Sequence, residues 1–333
     1  MFCSIIIDKK EGDNMENITM LDMQSNDMLS ELNKSELEEL RKEIKNASLP
    51  YRNKLGLSFT DTIGVEIEYE NLSRDTVDRY IIHSGYISDS DETVETGGEV
   101  DFPILVDKKE DWDELQEICF FLTENGAVTS QNAGGHIHIG SHVLENNLIY
   151  WRQFIKTYML YEKDLLEFFK GEYSEMRLLV GRYAEPIAKF LYQDLEKLNY
   201  ILSFSDMYDE IFLQDRNVAV NFKNIKRGVY KPYPGSTLEF RSPNGTSKEI
   251  IWQNNINTAV KLLKAPGKEL IDEDYLDYRL REGLPTKPSL ANALELVDAI
   301  FDNNLDKIYF LKQYNKDFNF SEEKSRGLVK SKF

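Results

Sequence analysis

The stretch Gly134-Gly135-His136-Ile137-His138-Ile139-Gly140 constrains this chain more than any other. Isoleucines alternate with histidines, and successive side chains of a β-strand point to opposite faces. The alternation sends His136 and His138 to one face and Ile137 and Ile139 to the other. A half-buried strand with two polar side chains would account for a lone histidine. It is a less comfortable account of two of the chain's four histidines on one face, between glycines. That pattern suits metal or phosphate chemistry, with the glycines read as room for a ligand to approach the backbone.

Other segments repeat the design. Residues 62–70 alternate so that Glu66, Glu68 and Glu70 share one face and Val65, Ile67 and Tyr69 the other. A sheet with one solvated face would explain this. Yet Glu is depleted in strands and like charges along one face repel, so a cation would remove a penalty. Gly97-Gly98-Glu99-Val100-Asp101-Phe102-Pro103 reads as a short strand with Glu99 and Asp101 on one face. Residues 217–222 read as a strand from Asn217 through Asn221, and 236–242 as another, with Thr237, Glu239 and Arg241 opposite Leu238 and Phe240.

The 333 residues, 41% hydrophobic and 29% charged, fit a globular protein with one large domain plus extensions. Residues 1–24 lack a clear period, so little order is expected there. Residues 25–50 read as an accessory helix, with Ser35 and Glu38 as a capping box and Leu37, Leu40 and Ile44 on its apolar side. Residues 60–265 form the expected catalytic domain. Within it, Asp111 and Glu114 open a helix with Trp112, Leu115, Ile118, Cys119 and Leu122 inward. A long helix over 147–170 and a second over 187–200 follow. Arg177 and Arg182 fall between them, where arginines are usually solvated; both are candidates for touching substrate. Residues 268–333 read as an acidic helical extension, with Ser289 as an N-cap.

A net charge of −18 without a basic block argues against nucleic-acid and anionic-membrane partners. No apolar run reaches about 18 residues, and the first residues lack a basic leader, so neither a membrane span nor a secretory signal is expected. The two cysteines, Cys3 and Cys119, fit a reducing cytoplasm, Cys119 as a buried free thiol.

Glu66, Glu68, Glu99, His136, His138, Glu239 and Arg241 meet in one bowl if their strands share a curved sheet. A cluster without cysteine disfavours a closed zinc site. Carboxylates with one imidazole point to Mg²⁺ or Mn²⁺, ions that commonly hold phosphates, and Arg241 suits a transferring phosphoryl group. Neither a P-loop, nor a dinucleotide turn, nor a nucleophile elbow occurs.

The ordered motifs Gly64-Val65-Glu66-Ile67-Glu68, Gly98-Glu99-Val100 with Pro103, Gly134 to Gly140, and Thr237-Leu238-Glu239-Phe240-Arg241 with Asn244-Gly245-Thr246 resemble the amidoligases of the carboxylate–amine ligase superfamily. The resemblance covers about residues 60–265. It implies an α+β fold: a curved, mostly antiparallel sheet forming an active-site bowl, helices on its back, as in glutamine synthetase. It implies an ATP-dependent, Mg²⁺-dependent ligase that joins a carboxylate to an amine through an acyl phosphate, on a small amino acid, peptide or protein. Glu66, Glu68, Glu99, Glu239 and His136 match the metal ligands, with Glu66 and Glu239 also catalytic. His138, Glu68 and Arg241 match positions facing the nucleotide, Arg241 stabilising the transferred phosphoryl group. Arg177, Arg182, Asn217 and Asn221 are looser matches to substrate-binding positions. Two alternatives stand beside the ligase: a binding module of the same fold without turnover, and a metal-dependent hydrolase.

Overall fold

The computed structural model describes residues 6–7, 18–19, 34–47, 49, 52–81, 85–90, 96–129, 132–145, 147–178, 180–212, 217–225 and 236–318. Most of the 1–24 segment, the first part of the 25–50 element, Cys3 and the Lys-rich end lie outside the described residues.

The fold is α+β around an open six-stranded sheet. Its strands are β1 (Ile63–Glu70), β2 (Ile87–Asp89), β3 (Gly97–Asp101), β4 (Gly135–Gly140), β5 (Val220–Asn221) and β6 (Thr237–Phe240). The spatial order is β2-β3-β1-β4-β6-β5, and every neighbouring pair is antiparallel. The long first strand is central because its apolar face is the most continuous. Ile63, Val65, Ile67 and Tyr69 are all buried, as are Val100, Ile137, Ile139, Leu238 and Phe240 beside them.

Among the described residues, eight longer helices surround this sheet: α1 (Lys34–Asn46), α2 (Arg74–Ile81), α3 (Lys109–Glu124), α4 (Leu148–Phe169), α5 (Glu249–Lys264), α6 (Glu273–Glu282), α7 (Leu290–Ile300) and α8 (Asn304–Tyr314). Two of them cover the apolar face. Phe154, Tyr158 and Phe169 of α4 surround the Phe240 ring, and Trp252 of α5 sits where a Cβ on Gly135 would stand. Helix α5 is buried all round, including Gln253, Asn254, Asn255, Asn257 and Thr258. Part of that polarity is satisfied internally: Asn254 donates to Tyr309 O and Gln313 Oε1, and Gln313 donates to Asn255 Oδ1. Ionic contacts tie the later helices down. Buried Lys156 of α4 meets Asp277 at 2.6 Å and Glu273 at 3.2 Å, and Arg52 meets Asp306 of α8 at 2.8 Å.

Several boundaries differ from the sequence expectation. Helix α3 starts before Asp111, whose carboxylate accepts the Val106 N–H instead of capping the helix. Ser35 lies inside the first turn of α1, and Glu38 pairs forward with Arg41. The expected helix over 187–200 is broken into Ala188–Leu191, a tighter turn Tyr192–Asp194, and Leu195–Tyr200. Helix α2 was not anticipated, although Val77 and Ile81, its buried pair, have helical spacing. Ser289 caps α7 as expected, accepting the Asn292 N–H, and Cys119 is a buried free thiol. Among the described residues no helix is long and apolar enough to cross a membrane.

Candidate active site

Period two places the polar side chains of all the longer strands on the face opposite α4 and α5, and register brings them together. Glu66 stands between His136 on β4 and Asp101 on β3. Glu68 is opposite Glu99, while His138 is opposite Glu239, which in turn faces Asn221.

Glu66 is the hub. Its Oε2 lies 2.7 Å from His136 Nδ1 and its Oε1 2.8 Å from His138 Nε2. Burial works against the Glu66 charge, but the two histidine hydrogen bonds outweigh it and hold the carboxyl well below the usual range. Burial likewise disfavours a charged His138, yet Glu66 prevails and raises its pKa. An ionised Glu66 fixes Nδ1 of His136 as a donor. His136 Nε2 is buried without a hydrogen bond, 3.4 Å from Glu68 Oε1.

The arginines secure the other carboxylates. Glu239 accepts from Arg241 Nη1, and from Asn221 Nδ2 at 2.7 Å. The Arg241 Nε–H donates to Tyr183 O at 3.1 Å. Glu68 is 1% exposed; it accepts the Gly134 N–H and lies 3.6 Å from Arg177 Nη1. Arg177 also donates to Arg241 O at 2.8 Å, and its own N–H donates to Asn244 Oδ1 at 2.9 Å. The glycines at the two ends of β4 serve this packing. A Cβ on Gly134 would stand 1.4 Å from Arg177 Nη1, and one on Gly140 2.4 Å from Thr62 and His142. The space that the sequence suggested for a ligand is filled by the protein's own side chains.

The structure therefore brings Glu66, Glu68, Glu99, His136, His138, Glu239, Arg241, Arg177 and Asn221 to one face. Among the described residues, two groups have ligand atoms within 4.8 Å of one another: Glu66 with Glu99 and His136, and Glu66 with His138 and Glu239. Arg182 does not join them. It is exposed, with its guanidinium 5.2 Å from the ring centre of Tyr183. Asn217 serves through its backbone, its carbonyl accepting the Glu185 N–H, because the strand expected over 217–222 shortens to Val220–Asn221. Asp101, which the sequence places on the Glu99 face but which was not counted among the site residues, joins them beside Glu66. Burial, then the charges of Glu66 and Asp89, push its carboxyl up to about 6. Its period-two relation to Glu99 was the available signal.

One face of the antiparallel sheet thus gathers carboxylates that share two imidazoles, with two guanidiniums beside them. The chain belongs to the family described as "Putative amidoligase enzyme", whose model matches residues 84–263, just over half the sequence. That family makes it a ligase-type enzyme. The match starts after β1, and Glu66 and Glu68 join the matched part through strand register and through hydrogen bonds to His136, His138 and Gly134. No curated protein matches the chain.

Proposed function

We propose that the chain is an ATP-dependent carboxylate–amine ligase that forms an amide through an acyl phosphate, on the glutamine synthetase-like plan of a bowl-shaped sheet. The observation that supports this best is the sharing of Glu66 by both ligand groups, with Arg241 and Arg177 on the same face.

The donor set suits a hard divalent cation. Oxygens from Glu66, Glu99 and Glu239 would hold Mg²⁺ or Mn²⁺, with Glu68 beside them 3.4 Å from His136 Nε2, and that nitrogen, buried without a hydrogen bond, would add the one nitrogen ligand. When bound, the ion neutralises phosphate charge and polarises the transferred group. The chain's own residues do the rest. Arg241, oriented by Glu239 and Tyr183 O, faces the transferring phosphoryl group. His138 meets the nucleotide phosphates, its pKa raised by Glu66 toward the charged form that an anion favours. Arg177 orients Glu68 and the Arg241 backbone.

Phosphorylation converts a carboxylate, a poor electrophile, into an acyl phosphate with a good leaving group. A neutral amine attacks the carbonyl, phosphate leaves, and the surplus proton passes to a nearby carboxylate. The acidic face favours an ammonium-bearing amine substrate. Its carboxylate partner is an amino acid, a peptide or a protein.

The test is ATP turnover by the full chain with amino acids and peptides as partners. ADP and phosphate should form only with both a carboxylate and an amine present, and a heavy-oxygen label in the carboxylate should appear in the phosphate. Hydrolysis of a substrate without ATP would overturn the ligase in favour of a metal-dependent hydrolase. Mg·ATP binding unchanged in Glu66→Gln or Glu239→Gln would overturn the metal assignment.

A further inference from the structure

Helix α4 lies behind the sheet, yet one turn of it reaches the frame of Arg241. Tyr158 packs against Phe240, and its hydroxyl lies 3.4 Å from Ser242 Oγ, next in sequence to Arg241. Glu162 follows one turn later and is 2% exposed. Its carboxylate accepts two adjacent backbone donors, the N–H of Ile187 at 2.7 Å and that of Ala188 at 3.1 Å.

Those donors end the segment that holds Arg241. At its other end Tyr183 O accepts the Arg241 Nε–H. Between them, the Glu185 N–H donates to Asn217 O at 2.8 Å and Glu185 O accepts the Ala219 N–H at 2.7 Å. Ala219 O then accepts the Arg241 N–H at 3.0 Å. The guanidinium and its backbone thus both hang on residues 183–188, and the buried end of that segment hangs on Glu162.

We propose that Glu162 is a positioning residue that sets the direction of the Arg241 guanidinium through residues 183–188. The inference rests on the reading of Arg241 as a site residue but not on ligase turnover. A carboxylate suits this place because it offers an oxygen to each N–H, whereas an amide offers one oxygen and turns a donor toward the second. Burial opposes the charge and pushes the carboxyl up to about 7, against the pull of the two N–H groups. The titratable groups facing it are Tyr158 and Lys163. Below that value the neutral carboxyl loses its charge-assisted hold on the two N–H groups and becomes a weaker acceptor, so the segment loosens.

The test reads Arg241 itself. Its Nε–H proton resonance in the full chain, identified by its loss in Arg241→Lys, is followed for exchange with solvent. At about pH 8 exchange should be about tenfold faster in Glu162→Gln than in wild type, the worth of roughly one charge-assisted hydrogen bond. The ratio should shrink toward one at about pH 5, where wild-type Glu162 is itself neutral. Equal exchange in both proteins at both pH values would overturn the proposal. Wild type alone gives a second readout that survives a variant failing to fold. The Tyr183 carbonyl shift and the Arg241 Nε–H shift should titrate with the Glu162 carboxyl. If Glu162 titrates and neither follows, the proposal is wrong. All three signals are read without substrate, so an absence of amide formation bears only on the ligase reading.

Discussion

The polar face of the sheet has two halves whose acids are partnered differently. On the β4–β6 side the acids are held by the chain's own donors. Glu239 has Arg241 and Asn221, and Glu68 has the Gly134 N–H with Arg177 alongside. On the β2–β3 side Asp101 stands among other acids, with Glu66 opposite and Asp89 close by, and its Oδ1 is buried without a hydrogen bond. One half is preorganised by buried Arg177 and half-buried Arg241. The other carries a repulsion that burial sharpens and that a bound cation would relieve.

The first way to break the contrast is to remove a cation from the preorganised half. Arg177→Met leaves Glu68 buried beside no guanidinium and should destabilise the protein by roughly 3–5 kcal/mol, measured by denaturant unfolding. Gly134→Ala should reproduce much of that loss, because the new Cβ occupies the place of Arg177 Nη1. A wild-type midpoint for Arg177→Met would mean that the buried pair contributes nothing.

The second addresses the acidic half. Mg²⁺ at about a hundredfold its Kd should stabilise wild type by about 2.7 kcal/mol in thermal unfolding, and should do nothing for Glu66→Gln. An equal shift in both proteins would place the ion elsewhere.

Asp101→Asn sharpens the same point without metal. A carboxyl raised to about 6 in the fold stabilises the protein, relative to its value at neutral pH, in full below its unfolded pKa of about 3.9 and in decreasing part above it. That stability is lost as pH rises through 6. The substitution should therefore stabilise metal-free protein by about 1–2 kcal/mol at about pH 8, after allowance for solvent screening, and by nearly nothing at about pH 4. A pH-independent effect would show that neighbouring charge is not the cause. The smallest effect belongs to exposed Arg182. Arg182→Ala should stay within about 0.5 kcal/mol of wild type and leave the Mg²⁺ response unchanged.

Much of this site was legible because a strand's side-chain period is fixed by backbone geometry. Glu66 and Glu68, His136 and His138, and Glu239 each stand opposite a buried apolar neighbour, as their alternation requires. Less regular segments misled. The alternation at 217–222 was real in composition, but only Val220 and Asn221 pair with β6, and Glu185 takes up the backbone around Ala219. Arg177 and Arg182 looked equivalent as loop arginines five residues apart. What separates them is a notch: Gly134 and Asn244, both distant in sequence, receive Arg177, while Arg182 stays exposed.

The sequence by itself determined which residues share a face and that four segments have the same acid-or-imidazole design, since these follow from local alternation. Only the tertiary structure decided that Glu66 sits between both histidines and that Arg177 supports Glu68. It also decided that the Gly134 and Gly135 positions make room for Arg177 and Trp252. Strand order, register and close packing are set by contacts between residues far apart in the chain, and no local period encodes them.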